Sequence, residues 1–101
     1  MTGPSRTRAR DVVVAGPPDE ALLASVALLR HLGARITRYD AEAGMLEAWL
    51  RRWRRPASIR LRAAAEGALA TRVSVESDAL GGGPLFRRLR GGLLQLTGRP
   101  A

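Results

Sequence analysis

The chain has 101 residues, 46% of them hydrophobic, and a formal net charge of +8, which leaves room for one compact domain with short tails and not for two full domains. All seventeen basic residues are arginine, and lysine, cysteine and asparagine are absent. Thiol catalysis, disulfides and cysteine-held zinc are thereby excluded, as is the lysine-dependent phosphate loop of nucleotide-binding proteins.

Residues 1–10 are small, polar and basic. They carry too little apolar surface to offset the entropy of ordering them, and a flexible basic arm is expected. The β-branched run Asp11–Ala15 has strand character and stops at the breaker Gly16-Pro17-Pro18. A helix follows: Pro18 suits a first turn, Asp19 and Glu20 complement the positive end of the dipole, and Leu22, Val26, Leu29 and Leu32 recur at helical spacing, with Leu23 widening the stripe. Gly33 is the expected cap after Arg30 and His31.

Ile36–Asp40 and Met45–Trp53 read as a hairpin about the turn Ala41–Gly44. Ser58–Ala64 and Leu69–Ser77 read as two further strands joined by a tight turn at Glu66-Gly67. In the first, Ile59, Leu61 and Ala63 alternate with Arg60 and Arg62; in the second, Leu69, Thr71, Val73 and Val75 alternate with Arg72, Ser74 and Glu76. After the breaker Asp78–Pro84, Leu85–Thr97 places Leu85, Leu89, Leu93 and Leu96 on one helix face. Gly91 and Gly92 within it each cost roughly 1 kcal/mol relative to alanine, which indicates a close packing contact or a bend. The expected fold is an α+β two-layer sandwich in the order β-α-β-β-β-α, an antiparallel sheet with helices on one face. It occupies residues 11–98 as a single domain, followed by a tail at 99–101.

Charge divides unevenly along the chain. Residues 1–50 hold six arginines and six acids, whereas residues 51–101 hold eleven arginines and three acids. The excess is either ordinary surface supplied by arginine or a positive surface for an anionic partner. Three groups of residues are candidates for contact. Arg51, Arg52, Trp53, Arg54 and Arg55 form a basic tip with a central indole, suited to base stacking beside phosphate contacts, to a lipid headgroup layer, to a protein interface, or simply to continuing a strand. If Glu47, Trp49 and Arg51 lie on the same side as Arg60, Arg62 and Arg72, the outward sheet face carries an aromatic residue amid arginines, and there a salt-bridged face or a sheet-to-sheet dimer demands less than an RNA-binding sheet in a chain with four aromatic residues. Arg87, Arg88 and Arg90 give the last helix a basic face.

For chemistry the inventory is short. His31 is the single histidine, no nucleophile-elbow pattern occurs, and Glu66, Glu76 and Asp78 form no obvious carboxylate pair. No catalytic, cofactor-binding or metal-binding residue is assigned, and no cofactor is expected. No run approaches the eighteen apolar residues of a membrane span, and Val12–Ala15 is too short for a secretory core. A cytoplasmic location without a membrane span is expected.

Pro18-Asp19-Glu20, the leucine stripe ending at Leu32-Gly33, then Ile36, the acidic turn Asp40–Gly44 and the strand Met45–Ala48 resemble the small β-α-β-β-β-α domains of the BamC type and lipoprotein-like families. The likeness covers about 85 residues by architecture, and the chain has no lipobox cysteine. It implies a domain that binds other proteins and has no active site. The leading expectation is a non-enzymatic interaction module, a homodimer that uses Trp49, Trp53 and the sheet face or edge as its contact surface. The alternatives are nonspecific nucleic-acid binding by the arginine-rich second half and, without motif support, a small-molecule enzyme.

Overall fold

The computed structural model describes residues 8–52, 55–77 and 82–97, with side chains described at 10–51, 57–77 and 86–95. Strand β1 (Arg8–Ala15) leads into helix α1 (Pro18–His31), four strands follow as β2 (Arg35–Asp40), β3 (Met45–Arg52), β4 (Arg55–Ala65) and β5 (Ala70–Ser77), and α2 (Gly82–Thr97) ends the fold. The sheet order is β1-β5-β4-β3-β2, with every neighbouring pair antiparallel. The fold is thus an α+β two-layer structure, with the element order β-α-β-β-β-β-α. The order expected from the sequence was one strand short, although all five of its β-type runs are paired.

Period-two burial explains the layering. Val12 and Val14, Leu46, Ala48 and Leu50, Ala57, Ile59, Leu61 and Ala63, and Thr71, Val73 and Val75 are all buried on one side of the sheet. Leu22 and Leu29 of α1 and Leu89 and Leu93 of α2 join them in a single core. Helix α1 lies over β2 to β5, while α2 packs against α1 and β1. Only one face of the sheet is therefore covered.

The helix stripe differs in detail from its expected form. Leu22 and Leu29 are fully buried, but Leu23 is 58% exposed, and the small residues Ala21 and Ser25 face the core instead. Close approach to the sheet favours them over leucine, and the Ser25 hydroxyl donates to the Ala21 carbonyl at 2.8 Å, so no polar group is stranded. Leu69 belongs to the β4–β5 turn and is 79% exposed; β5 starts one residue later, at Ala70. Helix α2 starts three residues earlier than expected, at Gly82, because Pro84 lacks only a first-turn amide proton that has no helical acceptor. Strand β1 starts at Arg8, where pairing of Arg8–Arg10 with Val75–Ser77 extends the ladder beyond the β-branched run. The rest of the expected arm and the expected tail at 99–101 lie outside the described residues.

Two local devices fix the sheet register. At the β2–β3 turn Gly44 has φ 66°, and a Cβ there would run into the Ala63 backbone carbonyl, so only glycine fits where Gly44 also accepts from the Ala63 amide at 2.8 Å. Between Ile36 and Arg38 the β2–β3 register shifts at a bulge. The shift restores Arg38 opposite Glu47.

Candidate interaction face

The uncovered face carries the side chains of alternate parity. In register across the strands, Arg38 of β2 lies beside Glu47 of β3, Glu47 beside Arg60 of β4, and Arg60 beside Glu76 of β5. This is a row of four charges of alternating sign. On one side of it Arg35, Trp49 and Ser58 form a second row, and on the other Asp40, Met45, Arg62, Ser74 and Asp11 form a third. Trp49 is 46% exposed, although its indole is among the largest apolar surfaces in the chain.

Ion pairs tie this face together. Arg60 Nε donates to Glu47 Oε2 at 3.2 Å. Arg72 is clamped from two sides: its Nε and Nη2 donate to the two Glu66 carboxylate oxygens at 3.0 Å each, and its Nη1 donates to Asp11 Oδ2 at 3.2 Å. The fork-to-fork hydrogen bonds and the charge of Arg72 hold the Glu66 carboxyl below its ordinary value, and Glu66, followed by Asp11, drives the Arg72 guanidinium further from deprotonation. Both groups are solvent-exposed, so the contacts order the face more than they stabilise the fold.

The sequence-derived candidates are placed as follows. Trp49, Arg51, Arg60, Arg62 and Arg72 share the open face with Glu47. Arg60 and Arg72 are paired with acids, while Arg62 has no ion-pair partner among the described residues. Arg52 and Arg55 face each other in backbone register where β3 turns into β4. Trp53 and Arg54 lie outside the described residues. Arg87, Arg88 and Arg90 are exposed beside the buried Leu89 on α2, on the other layer of the molecule, with no ion-pair partner among the described residues. His31 is exposed at the end of α1.

Several participants were not singled out from sequence. Asp11 reaches Arg72 across 61 positions of chain, and Arg38 completes the alternating row only because of the β2 bulge. Strand parity puts Asp11 on the outward side, but its partner becomes visible only with the strand order. Arg10, assigned to the arm, instead places its guanidinium over the Phe86 ring of α2 at 5.7 Å. Among the described residues, no three His, Asp or Glu side chains gather as a metal-ion site, and no helix is long and apolar enough to cross a membrane. In comparisons with known proteins, the chain matches no family model and no curated protein.

Proposed function

We propose that this chain is a non-enzymatic protein-interaction module that self-associates through the open face of its sheet. The observation that carries the reading is the half-exposed Trp49 on a sheet face left uncovered by both helices, where acids and arginines are interspersed and Arg60 and Arg72 are already paired with acids. A face of interspersed acids and arginines with a large indole suits a protein surface better than a phosphate backbone, which the acids Glu47, Glu76 and Asp11 would repel. Small domains have limited cores, so covering this face also adds stability.

The test is sedimentation velocity of the full chain and of Trp49→Ala. The expected mass is twice that of one chain, and losing an indole anchor of about 2 kcal/mol or more weakens association by about thirtyfold or more. A monomeric parent, or a variant that associates as tightly as the parent, contradicts the reading.

Nucleic-acid binding remains the second reading on one observation. Arg87, Arg88 and Arg90 are exposed on α2 with no acid paired to them among the described residues. That surface lies on the helical layer, so the two readings concern different parts of the molecule.

A further inference from the structure

We infer that the occupant of the open face is a second copy of this chain, docked about a two-fold axis that runs parallel to the strands between β3 and β4, with Arg38 of each copy meeting Glu76 of the other. The inference rests on the reading of that face as the self-association surface and adds its symmetry, its register and the residues that select it.

Charge order supplies the argument. Read across the sheet, Arg38, Glu47, Arg60 and Glu76 alternate in sign. A two-fold axis lying in the interface and parallel to the strands exchanges left and right while preserving position along each strand. The row is thereby laid on its own reversal: Arg38 falls on Glu76, Glu47 on Arg60, and the same pairs recur with the copies exchanged. An axis along the row would instead place every charge on its own like. Only the first arrangement is self-complementary, as an isologous contact requires.

Side-chain size agrees with the same axis. In the adjacent row Trp49 of β3 and Ser58 of β4 are register partners, and the exchange lays each indole over the small Ser58 of the other copy. On the far side Met45 meets the apolar stem of Arg62, its register partner on β4. Aligned sheets pack face to face with strand directions within about 30°, which the strand-parallel axis satisfies.

Arg38 and Glu76 make the inference testable. They stand on β2 and β5, three strand spacings apart, or roughly 14 Å at the usual separation of strands. Neither has an ion-pair partner among the described residues. Coupling between them therefore reports contact between copies.

The experiment measures mass by light scattering and native mass spectrometry for the full chain, R38E, E76R, the R38E/E76R double variant, and an equimolar mixture of the two single variants. Far-UV circular dichroism confirms that each variant folds. Each single reversal sets like charges together at two symmetric contacts and is expected to weaken the dimer by about tenfold or more. The mixture is expected to form a heterodimer of parental affinity, since every contact then joins opposite charges, and the double variant is expected to recover a homodimer. Reversals without effect on a dimer that Trp49→Ala dissociates overturn this register and leave the face intact. Single variants that weaken the dimer but are not rescued on mixing also overturn it. A parent chain that stays monomeric overturns both the register and the reading beneath it.

Discussion

Arg72 is the residue at which distant parts of the chain meet on the open face. Its guanidinium joins Asp11 on an edge strand to Glu66 in the β4–β5 turn. Because the native contact lowers the Glu66 pKa, the linked stability is fully present above the unfolded-state value and is lost as pH falls through the folded one. Glu66→Gln removes this titration. Its urea midpoint should fall less than the parent's between neutral pH and acid, and an equal fall in both proteins would show that the clamp carries no linkage. Parity alone placed Arg72 outward, but nothing local in the sequence joined it to Asp11. Trp49 was legible only as a conditional member of the outward face, and its half-exposed setting depends on both helices covering the other face.

At the scale of elements, the two adjacent glycines of α2 have opposite roles. A Cβ on Gly91 would meet open space, whereas one on Gly92 would collide with the Leu28 side chain of α1, which is itself packed against the core. Gly91→Ala should stabilise the protein by about 1 kcal/mol through helix propensity. Gly92→Ala gains the same propensity but overpacks the helix crossing, at a cost of about 1–3 kcal/mol, for a net loss of order 1 kcal/mol. Urea denaturation of the two variants checks the opposite signs; equal shifts would remove Gly92 from the helix contact. The sequence marked the pair as a contact or a bend and could not say which glycine was responsible, because that depends on where α1 lies. Strand alternation and the turns at Gly44 and Gly67 were readable because they are local. The β2 bulge was not, since a one-residue register shift appears only against its neighbour strand.

For the whole molecule, the linear division of charge does not survive folding. The first fifty residues are balanced and the remainder carries the whole excess, yet antiparallel pairing lays Glu47 on Arg60 and Asp11 beside Arg72. Acids of one half thus neutralise arginines of the other on the open face, while α2 keeps Arg87, Arg88 and Arg90 exposed. If the excess serves nucleic acid, binding followed by fluorescence anisotropy should weaken steeply with salt, and replacing those three arginines should reduce the salt slope by about three. Unchanged binding in the triple variant would remove α2 from that role. Fold class could be read because alternation and helical periodicity are properties of short windows. Candidate members of the open face could be named from the sequence, but which of them are neighbours could not, because that depends on the order β1-β5-β4-β3-β2.

That order also shapes the route to the native state. Strands β2 to β5 follow one another as a meander, whereas β1 must find β5 across the intervening chain, pairing Val12 with Val73. Closing so long a loop costs entropy before Val12 and Val14 can bury against the helices. The meander is therefore expected to form the early nucleus, with β1 adding to a template that already exists.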